Sequence, residues 1–274
     1  MKIINKTVFT TIALTLITCL SFSQEEIKKV AIGIYGTANG AWLKPDIDGK
    51  YGYSRKGIGL GYSAGVALDF ALFGSNNYSF TTGVGVLYHS GKLNYPDVYS
   101  PSSDEHIAGT TTKTYKINYI DVPLMLKLKT NEIGYLTYYG EVGTSAGIKY
   151  KARANWELEY NNGTDPVTVS EEGQDVTKET NLFRFPLIIG AGVEYNLSGN
   201  TSIVAGLVYN NGFTNVFSWG NKNNPNVYDV DDSGNILLDA NGDIILDTTG
   251  TPQKLDLRRK AISNFIGLKV GIKF

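Results

Sequence analysis

The chain has 274 residues, and its 25 lysines and arginines against 26 aspartates and glutamates leave no basic surplus for nucleic acid. Its single cysteine, Cys19, leaves no partner for a disulfide and no thiolate set for a metal. Glycine (31) and tyrosine (18) are abundant beside only 8 prolines, a balance that favours a β-barrel with long loops over soluble domains.

Residues 1–23 have the parts of a secretion signal. Lys2 and Lys6 form a positive n-region, residues 8–20 an apolar stretch, and Ser21-Phe22-Ser23 a small-x-small cleavage site before Gln24. An anchoring helix needs a longer apolar span. Acylation of Cys19 would make the chain a lipoprotein, but Thr18 is a poor small residue before it. Cleavage removes Cys19 and two lysines, taking the formal net charge from -1 to -3 and leaving a mature chain over residues 24–274 without any thiol. No later apolar stretch is long enough for a membrane helix, because glycine or charge interrupts each one. A barrel evades that test, since its apolar residues sit at every second position and a hydropathy window averages them away.

Read in chain order, the mature sequence alternates with period two in segment after segment. The first predicted strand, 29–38, sets Val30, Ile32 and Ile34 against Ala31, Gly33 and Tyr35. The second, 57–70, sets Leu60, Tyr62, Val66 and Leu68 against Gly61, Ser63, Gly65 and Asp69. The third, 78–90, opposes Phe80, Val84 and Val86 to Thr81, Gly83 and Gly85. The fourth, 114–129, opposes Ile120, Val122, Leu124 and Leu126 to Tyr119, Asp121, Met125 and Lys127. The fifth, 133–151, puts Glu141, Gly143, Ser145, Gly147, Lys149 and Lys151 on its polar face. The sixth, 181–197, puts Arg184, Gly190, Gly192 and Glu194 there, and the seventh, 201–214, Ser202, Gly206 and Asn210. The terminal strand, 261–274, carries Ile266, Leu268, Val270, Ile272 and Phe274 on one face and Gly267, Lys269, Gly271 and Lys273 on the other.

Short turns at 71–77, 130–132 and 198–200 alternate with long polar connections near 41–56, 92–113, 152–179 and 215–259. That asymmetry belongs to outer-membrane barrels, with turns in the periplasm and loops outside the cell. A soluble barrel would carry its bulky face inside, where this pattern puts glycine, lysine and glutamate. Tyr62, Tyr88, Tyr119, Tyr138, Tyr150, Phe183, Phe185, Tyr195, Tyr209 and Phe274 fall toward strand ends, as interfacial aromatic girdles do. The expected fold is therefore all-β: a transmembrane antiparallel up-and-down β-barrel of about eight strands, integral to the outer membrane, its lipid partner, with both termini periplasmic.

The stretch NYIDVPLMLKLKTNEIGYLTYYGEVGTSAG is similar to the PorT-like outer-membrane β-barrel family of Bacteroidetes-type bacteria. Tyr119, Val122, Pro123, Leu124, Leu126, Lys127, Gly140, Gly143 and Gly147 carry the resemblance, and Phe185-Pro186-Leu187 with Gly190, Gly192 and Tyr195 looks like the family's later strand. The long last loop departs from the family's compact members. The resemblance implies fold and location, and a role accessory to secretion or envelope integrity. Likeness to outer-membrane barrels further implies that the strand ending at Phe274 is the segment read by the barrel-assembly machinery.

By parity the lumen receives Asp69, Asp121, Lys127, Lys129, Glu141, Lys149, Lys151, Arg184, Glu194, Lys269 and Lys273. Mixed charge in a bore only wide enough for side chains reads as a structural plug of Asp69, Lys127, Lys129, Glu141, Arg184, Glu194, Lys269 and Lys273. The alternative is a small-solute channel. A lipid-modifying enzyme is a further alternative, resting on His89 beside Ser90 and on His106 in PSSDEHIAG. The first pair points to opposite faces and the second reads as a solvated turn.

In the last loop DSGNILLD and ANGDIILD repeat at a period of eight, with Ser-Gly and Asn-Gly as hairpin-turn dipeptides, which predicts two short strands. Its aspartates, Asp229, Asp231, Asp232, Asp239, Asp243 and Asp247, are hard oxygen donors suited to calcium. An EF-hand begun at Asp229 fails, however, with Ala240 where glutamate is required, which leaves a looser surface calcium site as the alternative to the purely structural reading. The reading is thus a non-enzymatic, loop-presenting barrel without cofactor, metal or catalytic residue.

Overall fold

The computed structural model describes residues 29–45, 50–102, 104–163, 165–218, 228–232, 234–255 and 260–274. The predicted signal segment, 1–23, lies outside the described residues. The strands are β1 (Val30–Pro45), β2 (Ser54–Arg55), β3 (Gly59–Leu72), β4 (Ser75–Tyr99), β5 (Ile107–Lys129), β6 (Leu136–Asn161), β7 (Pro166–Asp175), β8 (Phe183–Arg184), β9 (Pro186–Ser198), β10 (Thr201–Gly212) and β11 (Ala261–Lys273).

Neighbours pair antiparallel in the order β1-β3-β4-β5-β6-β9-β10-β11. The ring closes where β11 returns to β1, from Gly33 opposite Lys273 to Pro45 opposite Ala261. Eight strands thus form a closed barrel with no free edge along its wall, the condition for strands to cross hydrocarbon, where no water can satisfy an unpaired backbone group. β2, β7 and β8 are short additions to β4 and β6.

The alternation behaves as expected along the wall. Leu60 (84% exposed), Leu126, Leu207, Leu268 and Val270 face out, and together with their neighbours they make an apolar exterior too extensive for water. The short connections are tight. Between β3 and β4 the two central residues Phe73 and Gly74 both have positive φ (56 and 65), as the hairpin turn that matches strand twist requires. Phe185 separates β8 from β9, which begins at Pro186.

The structure corrects several expectations at the opposite, loop-bearing rim. β1 runs on to Pro45, so the connection placed at 41–56 begins later. The segment 92–113 is mostly strand, because β4 continues to Tyr99 and β5 starts at Ile107. Likewise 152–179 holds the end of β6 and all of β7. These polar stretches keep period two but bury one face, including Leu93, Tyr95 and Leu158, against loop residues rather than lipid. From Tyr88 to Tyr99 β4 rises about 35 Å along the strand.

A bulge explains a second correction. Asn118 pairs with Lys151 but Tyr119 pairs with Lys149, so Tyr150 is an extra residue that reverses the face of the residues after it. Lys149 points inward and Lys151 is exposed, outside the lumen assigned to it. Tyr119, assigned to the aromatic girdle, is buried at 2% exposure. It faces inward from the same strand parity as Asp121 and Lys127.

The described residues of the last loop contain three turns where two were read. Val230–Ile236, Leu238–Ile244 and Leu246–Pro252 form isolated bridges eight residues apart, and Gly234, Gly242 and Gly250 each take positive φ. The third unit lacks the ILLD signature, which hid it. Single bridges stand in place of the expected two short strands.

Candidate functional site

Along the bore, glycines on the inner wall open space for tyrosine rings. Gly65 pairs with Gly85 and Gly192 with Gly206 across their strands. The Tyr35 hydroxyl lies against the first pair and the Tyr139 hydroxyl against the second. Over these rings sit lysine ammoniums, Lys269 at 5.6 Å from Tyr35 and Lys127 at 5.3 Å from Tyr139.

Toward the short-turn rim the charges meet. Lys127 Nζ donates to Asp69 Oδ2 at 2.9 Å, while the Thr81 hydroxyl donates to Asp69 Oδ1. Lys269 Nζ reaches both Glu141 oxygens, at 2.9 and 3.1 Å. Glu194 takes Lys273 directly and has Lys127 and Lys129 at 3.8 Å each. Asp69, Lys127, Lys129, Glu194 and Lys273 therefore form one ion-pair cluster, and the Glu141–Lys269 pair stands beside it because Lys127 and Glu141 are cross-strand partners; the members come from β3, β5, β6, β9 and β11. Each ion is buried or nearly so, and a buried ion is tolerated only with its partner in contact.

Arg184 is not part of that layer. It lies nearer the loop rim, where Nε donates to Ser263 Oγ at 2.9 Å, Nη2 donates to Asn210, and the Tyr119 and Phe265 rings flank it at 5.9 Å. Asp121, inward as expected, accepts the Ser145 hydroxyl at 3.0 Å. Between the two levels is a cavity of about 80 Å³ lined by Tyr35, Thr37, Asp121, Glu141, Asn210 and Lys269 among others. A search by charge overlooks Thr81, Tyr35 and Tyr139. Each is legible as an inward position, but a neutral side chain carries no charge signal.

A strap covers the loop-side mouth. Lys149 Nζ donates to the Thr177 carbonyl (2.6 Å), the Thr180 carbonyl and the Thr180 hydroxyl, and Lys113 pairs with Glu179 at 3.2 Å. Asn181 N–H donates to the Val216 carbonyl, and Val216 N–H to the Ala261 carbonyl. Val176 and Phe217 fill the space beneath.

The histidines stand apart. His89 points into the bore with neither ring nitrogen bonded, and Ser90 lies on the other face, opposite Lys116. His106 Nδ1 is 2.7 Å from Ser100 Oγ across the β4–β5 turn, and its Nε2 has no partner among the described residues. In the arm, Asp239 Oδ1 accepts the amides of Asn241 and Asp243, and Asp247 Oδ1 those of Thr249 and Thr251. The Thr249 hydroxyl and amide, with those of Thr251, hold the Asp247 carboxyl below the usual carboxylate range, and the Asp243 and Asn241 amides hold that of Asp239 there. Among the described residues no three acidic, histidine or cysteine side chains converge as a metal site.

A family model described as an outer membrane protein beta-barrel domain matches residues 22–230. No curated protein matches the chain. Among solved structures it is similar to Neisserial surface protein A (12% identity, TM-score 0.36, 89% of this chain and 99% of that one). It is also similar to Ail, the attachment invasion locus protein of Yersinia pestis (14% identity, TM-score 0.33, 90% and 99%). A third likeness is to the outer membrane protein OprG from Pseudomonas aeruginosa (10% identity, TM-score 0.36, 91% and 97%).

Proposed function

Because the chain belongs to the outer membrane protein beta-barrel domain family, we propose that it is a PorT-like, non-enzymatic surface protein with a plugged lumen. Its role in this reading is accessory to secretion or envelope integrity, through the folded structure on its loop rim. The observation that carries the reading is the contrast between the two ends. Ion pairs fill the bore at the short-turn rim, while β4, β5, β6, β7 and the repeat arm build a large ordered surface at the other.

Residues 1–23 act as the cleaved leader, the turns and both termini lie in the periplasm, and the extensions lie outside the cell. The alternation of tight turns with tall extensions supports that orientation. The strand ending at Phe274 docks the assembly machinery. Val122-Pro123-Leu124 within β5 supports the PorT-like assignment.

A small-solute channel is the second reading, favoured by the cavity between the charge layers. Recordings in planar bilayers separate the two. The plugged protein gives no steady conductance, whereas steady conductance abolished by charge changes at Lys127 or Glu194 establishes the channel and overturns the plug. A lipid-processing activity lost in His89→Ala or His106→Ala would overturn the non-enzymatic reading.

A further inference from the structure

Just above the cavity, three buried polar side chains leave hydrogen-bonding atoms unmet among the described residues. Arg184 is 2% exposed, and with Nε and Nη2 committed to Ser263 and Asn210 its Nη1 has no partner. Asn39 is 4% exposed with neither amide atom bonded, and His89 is 1% exposed with neither nitrogen bonded. An unmet buried donor is destabilising, and more so when it is charged, so this much unmet capacity at one level calls for an occupant.

The three groups come to one level by register. Asn39 pairs with Gly61 and Gly267, and its Oδ1 lies over the bare Gly61 backbone. Tyr62 pairs with Tyr88, so His89 is one step from Gly61. Arg184 lies over Phe265, two residues from the Gly267 that faces Asn39, and its charge acts on His89. None of the three lines the cavity itself, but their neighbours do: Thr37 and Leu87 are two residues from Asn39 and His89, and Asn210 and Phe265 both touch Arg184. Leu43, Ile117, Tyr115 and Phe217 close the space above.

The chemistry favours a negative occupant. Arg184 makes no ion pair among the described residues. Asp121, the carboxylate whose charge acts on it, is bonded to Ser145 instead. The unmet atoms are mostly donors: the Arg184 Nη1 hydrogens, the Asn39 amide hydrogens and one N–H of His89. We propose that this cluster is a binding site for one small inorganic anion of about chloride size. The anion is held by the free edge of Arg184 together with Asn39 and His89, and it gives that guanidinium the direct contact that Asp121, hydrogen-bonded to Ser145, does not make.

Folded protein in detergent micelles tests this with bromide as the probe. Its thermal unfolding midpoint rises in sodium bromide over sodium gluconate at equal ionic strength, saturably and by about 3 °C. Arg184→Gln abolishes that difference and Asn39→Ala reduces it. Crystals of the unmodified protein grown in bromide show an anomalous peak beside Arg184 Nη1, so the site stays testable if the variants do not fold. Equal midpoints in the two salts, or water without anomalous signal at that position, overturns the proposal.

Discussion

Where Tyr139 lies over the Gly192–Gly206 pair, the inner wall has no room for a methyl group. A Cβ on Gly192 would press into the Ala205 carbonyl oxygen and stand 2.7 Å from the Tyr139 hydroxyl. Gly140, on the neighbouring β6, meets only the Gly190 carbonyl at 4.0 Å. Gly192→Ala should therefore cost about 1–3 kcal/mol while Gly140→Ala stays near neutral, read as urea midpoints in detergent. Glu194 is the second residue-scale test, because three lysines share its carboxylate. Glu194→Gln strands buried ammoniums and should destabilise by about 3–5 kcal/mol. Lys129→Met should cost far less, since Glu194 keeps its direct contact with Lys273.

Among the elements, the repeat arm is the most separable. Its turns are built locally, each aspartate accepting amides of its own unit, so one unit can go without altering the next. Deleting residues 239–246 joins Leu238 to Asp247, reproducing the Leu-Asp step between units, and should leave the heat-modifiable gel mobility of the barrel unchanged. The same carboxylates make the arm sensitive to acid. Their folded pKa values lie below the unfolded ones, so the stabilisation is fully present above the ordinary carboxylate pKa and is lost as pH falls below about 4. Amide exchange at Asn241, Asp243, Thr249 and Thr251 should accelerate in that window beyond its intrinsic trend, and Asp247→Ala should release only the last two.

Parity made the wall strands legible, because lipid outside and a narrow polar bore inside impose one alternation on every strand. It failed where those conditions end. Past the membrane band, β4 to β6 alternate against loop residues, so Thr111 and Lys113 read as polar connection although with Tyr115 they form a buried face. At Tyr150 one extra residue turned Lys151 outward, and a sequence does not announce a bulge. Charged inward positions of the turn-side network could be found from residue type. The pairing among them, and the separate level of Arg184, depend on how far each strand is staggered around the ring.

For the whole molecule, the claim on which everything else rests is that the first and last strands close the barrel. The outward pair Ala38 and Leu268 lies directly across that seam, within the reach of a disulfide between paired strands. Cysteines at both positions, in a chain also carrying Cys19→Ser, should form an intramolecular disulfide under mild oxidation in membranes. The bond should keep the folded gel mobility, and a control pair at Ala38 and Val142, which lie on strands that are not neighbours in the ring, should not cross-link. Failure of the Ala38–Leu268 pair to join in folded protein would contradict the closed eight-stranded ring and every assignment of inside and outside built on it.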